Sequence, residues 1–217
     1  MLKAVIFDMD GVLVDSHPSH MRAWRKFLLS KGKSVTDAEL EFVRDGRKKE
    51  DILRYFFGEL SDDRLSAYGN EKERLFAEEA QSLTTIAGAQ ELLDELNCAA
   101  IPLALASNGS AKRVHSILDA LRLKHYFQAV VTANEVTMGK PHPAIFHKAA
   151  EQLQVCPFES VVFEDSVSGV RAARAAGMKC LGIADDHRAQ ALRQAGADHV
   201  FPNFMNASLC QIKKFLV

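Results

Sequence analysis

The sequence predicts an α/β protein in which helices cover both faces of a parallel β-sheet and an all-helical segment follows the first strand. Two observations support this prediction. Short apolar runs alternate with amphipathic helical patterns along most of the chain, and this alternation is typical of βαβ units. The alternation stops once, from about His17 to Leu83, where only helical patterns occur.

The six predicted strands are continuous apolar runs, as expected for strands that are buried on both faces. They cover Lys3–Phe7, Pro102–Ala106, Ala129–Thr132, Ser160–Phe163, Lys179–Ile183 and Asp198–Phe201. Helical patterns connect them at Ala89–Asn97, Ala111–Leu121, Pro143–Leu153, Gly169–Ala176 and Arg188–Ala195. We therefore expect a Rossmann-like core.

The interrupting segment predicts a separate helical cap. Its helical patterns cover Pro18–Lys31, Thr36–Arg44, Lys49–Phe57 and Asp62–Gln81. Glycines 32, 46 and 58 follow these patterns and are expected at helix ends or turns. Because the segment leaves from the end of the first strand, it should lie over the carboxyl edge of the sheet. We predict a core of residues 1–16 and 83–217 and an inserted cap of residues 17–82.

Charge and composition exclude several classes of protein. The 217 residues include 27 Lys or Arg and 28 Asp or Glu, a net charge of -1. This balance argues against nucleic-acid binding and against a polybasic membrane anchor. The chain has no apolar run long enough to span a bilayer, and we expect no signal peptide because Asp8 and Asp10 interrupt the first apolar run. We therefore expect a cytoplasmic protein, and we also expect a monomer. Its four cysteines, at positions 98, 156, 180 and 210, form no Cys-x-x-Cys pair and are expected to be buried, inert thiols.

Two acidic residues directly follow the first predicted strand, in Asp8-Met-Asp10, with Gly11 after them. Ligands of open α/β sheets bind at the carboxyl ends of the strands. Two carboxylates this close repel each other unless a cation or a proton separates them. A helix N-cap is the alternative interpretation, but the pair of acids after a buried strand favours a functional site.

Three further strand ends carry polar groups. Ser107-Asn-Gly-Ser110 follows the second strand and offers a hydroxyl, an amide and a turn suited to anion binding. Lys140 lies between Gly139 and Pro141 in the loop after the third strand, and Glu164-Asp165 follows the fourth. Taken singly, these are also compatible with helix caps or a solvated lysine. Together they supply the carboxylate nucleophile, divalent-ion ligands and cation that phosphoryl transfer requires.

This set of motifs resembles that of the haloacid dehalogenase superfamily. Asp8-Met-Asp-Gly-Val-Leu-Val-Asp-Ser16 is similar to its motif I, Ser107-Asn108 to motif II, Lys140-Pro141 to motif III and Glu164-Asp165-Ser166 to motif IV. The resemblance extends over nearly the whole chain. It is strongest to members with a helical cap after motif I, which include β-phosphoglucomutase and small sugar-phosphate phosphatases.

The resemblance implies a role for each matching residue. Asp8 would attack phosphorus and form an aspartyl phosphate, and Asp10 would act as general acid and then as base. Ser107 and Lys140 would hold the phosphoryl oxygens. True dehalogenases lack the second acidic residue of motif I and need no metal, so Asp10 indicates a phosphotransferase.

The resemblance also implies a Mg²⁺ site and a substrate site. A carboxylate oxygen of Asp8, the backbone carbonyl of Asp10 and Asp165 would hold the ion, with Glu164 nearby or acting through water. The predicted substrate-binding residues are Asn108, Gly109, His20, Gly46, Arg47 and Lys49. His20 is compatible with either the site or solvent, and the only tryptophan, Trp24, is expected to pack inside the cap.

The cap sequence separates a phosphatase from a mutase. Lys49 stands where the mutase has an arginine that binds a second phosphate, and lysine lacks its bidentate fork. Asp45 stands where a lysine would be expected, and we expect its charge to repel a second phosphate. We therefore predict a Mg²⁺-dependent phosphatase of a small phosphorylated metabolite. The alternatives are a β-phosphoglucomutase-like mutase and a phosphoryl-switch protein that does not turn over.

Overall fold

The computed structural model describes residues 2–215, so Met1, Leu216 and Val217 of the predicted core lie outside the described residues. Six parallel strands form one sheet in the order β3-β2-β1-β4-β5-β6. Their bounds are β1 Ala4–Phe7, β2 Leu103–Ala106, β3 Ala129–Val131, β4 Ser160–Glu164, β5 Lys179–Ile183 and β6 His199–Phe201. All six sequence-based strands are confirmed, with ends that differ by at most one residue.

The first strand lies in the middle of the sheet. Phe7 of β1 is opposite Leu105 of β2 on one side and Phe163 of β4 on the other. This register aligns the carboxyl ends of the three strands. The residues that follow them, Asp8, Ser107 and Asp165, are thereby brought to one edge of the sheet.

Helices cover both faces of this sheet, as predicted. They are α5 Ala89–Cys98, α6 Ala111–Ala120, α7 Ala144–Gln152, α8 Val167–Ala175, α9 Asp186–Ala195 and α10 Leu209–Lys214. One apolar cluster joins the sheet to α5, α6 and α10, and a second joins it to α7, α8 and α9. The sequence analysis did not predict α10 or the short 3₁₀ helices at Lys124–Tyr126, Ala133–Glu135, Pro157–Glu159 and Phe204–Asn206.

Four helices form the cap between β1 and α5. They are α1 His17–Ser30, α2 Asp37–Val43, α3 Lys49–Phe57 and α4 Asp62–Glu79. Their apolar faces form a cluster of their own, and Trp24 is buried in it, as expected. Thr36 begins α2 with a capping box to Glu39, and Gly58 ends α3 at φ +71°. The cap boundaries at residues 17 and 82 stay a prediction.

The expectation for the cysteines was wrong at three positions. Only Cys180, on β5, is buried, whereas Cys98, Cys156 and Cys210 are exposed. Cys98 lies near an apolar run, but the buried face of α5 is formed by Ala89, Leu92, Leu93 and Leu96. The side of the helix on which a residue falls decides its burial, rather than the hydrophobicity of its neighbours. Across residues 2–215, no helix is long and apolar enough to cross a membrane.

Candidate active site

A cavity of about 260 Å³ lies between the carboxyl edge of the sheet and the cap. The core contributes Asp8, Asp10, Ser107 and Asp165 to its wall. Every predicted substrate-binding residue also lines it: Asn108, Gly109, His20, Gly46, Arg47 and Lys49. His20 therefore faces the site rather than solvent. The volume suits a small metabolite rather than a macromolecule.

Lys140 lies behind Asp8 and does not line the cavity. Its ammonium group is 2.5 Å from Asp8 Oδ1 and 2.5 Å from Glu164 Oε1, and it donates to the carbonyl of Ala106 at 3.0 Å. Burial opposes its charge, but Asp8 and Glu164 outweigh burial and raise the pKa of Lys140 above its usual range. The lysine is therefore a permanent cation next to Asp8.

Asp8 is a buried carboxyl in a crowded acidic environment. Burial raises the pKa of Asp8 well above its usual range; Lys140 opposes this effect, whereas Glu164, Asp10 and Asp165 add to it. The three cations that contact these acids, Lys140, Arg113 and Arg188, do not balance the four carboxylates of Asp8, Asp10, Glu164 and Asp165. The excess of negative charge is the electrostatic condition under which a divalent cation binds favourably.

Glu164 uses both carboxylate oxygens within the protein. Oε1 accepts from Lys140, and Oε2 accepts from the backbone N–H groups of Asp165 at 2.9 Å and Ser166 at 3.0 Å. Gly169 leaves the space for this carboxylate, because a Cβ there would overlap it. The sequence analysis expected Glu164 near the metal ion or acting on it through water. Its contacts instead position Lys140 and the following loop, and they leave neither oxygen free for direct metal ligation.

Asp165 lies at the carboxyl end of β4 and lines the cavity. Its Oδ2 is 2.5 Å from His17 Nε2 and 3.3 Å from a guanidinium nitrogen of Arg188. Gly11, at φ +78°, leaves room for this contact, because a Cβ there would collide with the His17 ring. His17 and Arg188 thus orient Asp165, and the sequence analysis identified neither.

The residues at this edge fit a hard cation such as Mg²⁺. Asp8 Oδ2 and Asp165 Oδ1 accept no hydrogen bond from any residue between 2 and 215, and Mg²⁺ prefers such oxygen ligands. Among the described residues, no three His, Cys, Asp or Glu side chains lie close enough together to hold a metal ion by themselves. A set of two carboxylates and one backbone carbonyl, that of Asp10, is consistent with this finding.

The carboxylate of Asp10 is held from three sides. Arg113 places one guanidinium nitrogen 2.9 Å from Oδ1 and the other 2.9 Å from Oδ2. Ser16 donates to Oδ1 at 2.6 Å, and His20 Nε2 lies 3.3 Å from the same oxygen. Burial alone would raise the pKa of Asp10, but Arg113 and His20 outweigh it and hold that pKa well below its usual range.

His20 connects Asp10 to a lysine of the cap. Lys72 Nζ on α4 lies 2.9 Å from His20 Nδ1. Burial, together with Lys72, lowers the pKa of His20 to about 3, so the ring is neutral at physiological pH. If Nδ1 accepts from Lys72, Nε2 carries the proton and donates to Asp10. Burial also lowers the pKa of Lys72 to about 7.

The loop after β2 joins the core to the cap. Asn108 Nδ2 donates to the carbonyl of Gly46 at 2.8 Å, and Asn108 Oδ1 accepts from the Lys140 backbone at 3.3 Å. The Ser107 hydroxyl accepts from the Gly109 backbone at 3.1 Å. Asn108 therefore bridges the two halves of the cavity, a contact that the sequence did not indicate.

The expectation for Asp45 was wrong. Its carboxylate accepts from the backbone and the hydroxyl of Ser168 at the start of α8, at 3.0 and 2.6 Å, and from Arg47 at 3.0 Å. It is absent from the cavity wall. Asp45 therefore binds the N-terminus of α8, the positive end of that helix, and links the cap to the core instead of repelling a substrate phosphate.

The charged residues of the cavity that sequence reasoning missed include Arg113, Lys72 and Glu73. A signal for Lys72 is present, because the buried residues of α4 are Leu65, Gly69, Lys72 and Phe76, which share one helical face. A lysine on such a face is a candidate functional group. Arg113 lies in the first turn of α6, at the sheet edge that binds ligands, but it belongs to none of the recognised motifs.

Comparison with known proteins agrees with this geometry. A family model described as "Haloacid dehalogenase-like hydrolase" matches residues 5–183. The "Phosphorylated carbohydrates phosphatase" of Thermotoga maritima is 35% identical over 90% of this chain and 92% of its own length. "Validoxylamine A 7'-phosphate phosphatase" of Streptomyces hygroscopicus subsp. limoneus is 30% identical over the same shares.

A solved structure supports the fold. The β-phosphoglucomutase of Clostridium difficile superposes with a TM-score of 0.88, covering 100% of this chain and 97% of its own, at 24% identity. This likeness extends to the cap as well as the core. From the family model and the two phosphatase relatives, we conclude that the chain belongs to the haloacid dehalogenase-like hydrolases and is a phosphoric monoester hydrolase.

Proposed function

We propose that this protein is a Mg²⁺-dependent phosphatase that hydrolyses a small phosphorylated metabolite through an aspartyl phosphate on Asp8. The observation that carries the proposal is the juxtaposition of Asp8 and Asp10 at one small cavity, with Lys140 directly behind Asp8. Relatives that act on phosphorylated carbohydrates support the substrate class.

In the first step, a carboxylate oxygen of Asp8 attacks phosphorus while the ester P–O bond breaks. The leaving oxygen takes a proton from Asp10. Because Arg113 and His20 hold the pKa of Asp10 well below its usual range in the free protein, the bound substrate must weaken these contacts so that Asp10 enters this step protonated. In the second step, Asp10 removes a proton from water, which attacks phosphorus and releases Asp8 and inorganic phosphate. Ser107 binds a phosphoryl oxygen in both steps. Lys140 acts through its ion pair with Asp8 rather than by direct contact with the phosphoryl group, because its ammonium is already bonded to Asp8, Glu164 and the carbonyl of Ala106.

Asp8, the carbonyl of Asp10 and Asp165 are the proposed Mg²⁺ ligands. The bound ion would supply positive charge that offsets repulsion between the phosphoryl group and the surrounding carboxylates. Glu164 contributes by fixing Lys140 and the loop that carries Asp165.

The decisive experiment compares the wild-type protein with Asp8→Asn, which is nearly isosteric but lacks a nucleophilic oxygen. Phosphate release is followed over sugar phosphates, phosphoglycolate, nucleotides, pyrophosphate and p-nitrophenyl phosphate. Acid quenching during turnover should reveal a phosphorylated peptide that contains Asp8, and Asp8→Asn should lose both the peptide and the turnover. Turnover that survives in Asp8→Asn would refute the mechanism.

A mutase is the second candidate, since cationic Arg47 and Lys49 line the cavity and Asp45 does not oppose a second phosphate. β-Glucose 1-phosphate with catalytic glucose 1,6-bisphosphate separates the two activities. Glucose 6-phosphate that forms much faster than free phosphate would identify a mutase. A non-turnover phosphoryl switch is disfavoured by the hydrolase relatives, and steady phosphate release would exclude it.

A further inference from the structure

Arg113 is a largely buried arginine that the proposed reaction does not use. Its side chain is 10% exposed, and the guanidinium lies beside the ring of Phe76, 5.3 Å from its centre. Gly109 is required for this placement, because a Cβ at that position would overlap the guanidinium. The loop after β2 is thus shaped around Arg113, at the wall of the cavity.

The guanidinium has unused hydrogen-bonding capacity. Its Nε is buried and has no hydrogen-bond partner within the described part of the chain. The carboxylate of Glu73 is 3.7 Å from Nε, too far for a hydrogen bond. Asp10 does not depend on Arg113 alone, because Ser16 also donates to it at 2.6 Å. Arg113 can therefore turn to another anion without leaving Asp10 unpartnered.

Three basic side chains lie on this side of the cavity. Lys49 and Lys72 line it together with Arg113, and the side chain of Lys49 lies across Gly69, next to Lys72. Glu73 lies 3.8 Å from Lys72, so it makes no close hydrogen bond to either Lys72 or Arg113. Lys72 and the Nε of Arg113 thus have no carboxylate at hydrogen-bonding distance among the described residues, and an anionic group of a ligand could fill that place.

We propose that Arg113 determines specificity by binding an acidic substituent, a carboxylate or a second phosphate, on the leaving group of the substrate. Lys72 and Lys49 complete the subsite from the cap. The inference rests on the proposed phosphatase function and names a substrate class for it. Asp8 and Arg113 both line the cavity, so one substrate can contact both. The acidic substituent would then accept a charge-assisted hydrogen bond from the guanidinium, which an analogue without the substituent cannot do.

The test uses matched pairs as competitors of p-nitrophenyl phosphate, so that inhibition reports binding to the same site. 3-Phosphoglycerate and glycerol 3-phosphate differ by a carboxylate against a hydroxymethyl group. Glucose 1,6-bisphosphate and glucose 1-phosphate differ by a second phosphate. In the wild-type protein, the member of at least one pair that carries the additional acidic group should inhibit about 10- to 100-fold more strongly than the member that lacks it. The pair that shows the preference identifies the anion as carboxylate or phosphate.

Arg113→Met should reduce this preference to less than about threefold, and Arg113→Lys should restore part of it. Arg171→Met, on an exposed position of α8, is the matched control and should keep the wild-type ratio. A purely structural arginine would weaken both members of a pair equally, and that result would overturn the inference. Equal inhibition by both members in the wild type, or inhibition by neither, would also overturn it. Absence of p-nitrophenyl phosphate hydrolysis would instead contradict the phosphatase proposal.

Discussion

The ammonium group of Lys48 in the cap lies 2.7 Å from the carbonyl oxygen of Val136 in the core. The same group donates to the carbonyls of Ala133 and Thr137 at 3.1 and 3.2 Å. Together with the pair formed by Asp45 and Ser168, it closes the cap onto the loop that leads to Lys140. Closure of this kind excludes water from the reacting groups.

Lys48→Met should lower kcat/KM about tenfold, the effect of losing roughly 1.5 kcal/mol of closed-state stabilisation from a charged donor. The melting temperature should change little, because the contacts of Lys48 are polar and Lys48 belongs to none of the apolar clusters that hold the cap and the core together. Steady-state kinetics and thermal unfolding check both statements. Lys33→Met, an exposed lysine of the cap, is the control. An equal loss in both variants would show that the contacts of Lys48 do not control closure.

Chelation should abolish activity and Mg²⁺ should restore it. Ca²⁺ should inhibit, because it prefers longer bonds and more ligands than Mg²⁺. Asp165→Asn should raise the Mg²⁺ concentration needed for half-maximal activity by on the order of tenfold to a hundredfold, as loss of one carboxylate ligand implies. Activity titrated against free Mg²⁺ measures this. Full activity in excess chelator would rule out the proposed metal site.

Asp10→Ala should slow substrates unequally. A sugar alkoxide leaves only with a proton, so the loss should reach about 10²–10⁴-fold, whereas p-nitrophenolate needs little protonation and should be affected less. The comparison of kcat for the two esters is the measurement. Asp15→Ala, an exposed acid nearby, serves as the control. Equal losses on both esters would argue against Asp10 as the general acid.

Lys72→Met should stabilise the fold in a pH-dependent way. Burial lowers the pKa of Lys72 to about 7, so below that pH the folded protein holds a costly buried charge. Between about pH 7 and the usual lysine pKa of about 10.4, the unfolded chain binds a proton that the folded one lacks, and wild-type stability rises with pH.

Lys72→Met removes the buried charge and therefore its unfavourable contribution to the free energy of folding. Its free energy of unfolding should exceed that of the wild type by on the order of 1–2 kcal/mol near neutral pH, and the difference should shrink as pH rises. Urea unfolding of both proteins at about pH 6.5 and about pH 9.5 measures the difference in their free energies of unfolding. Groups other than Lys72 titrate in both proteins, so their contributions largely cancel in this difference. A constant difference would show that the charge of Lys72 is not the cause. Loss of activity is expected as well, because His20 loses its partner.

The sequence by itself determined the sheet, the helical cap and the edge of the sheet that lines the cavity. Continuous apolar runs such as Ala4–Phe7 predict buried parallel strands, because only such strands need apolar side chains on both faces. Polar residues that directly follow these runs must then meet at one edge, and Asp8, Ser107 and Asp165 do so. These inferences depend on local pattern and on a general rule of topology, which require no tertiary coordinates.

Only the tertiary structure decided which charges meet across the cavity. Asp45 was expected to face the substrate, but it pairs with Ser168, more than a hundred positions away in the sequence. Arg113 and Lys72 come from different halves of the molecule and converge on Asp10 and His20. The direction of a charged side chain near a helix end depends on which partner the docked cap brings within hydrogen-bonding distance. Local periodicity carries no information about that partner.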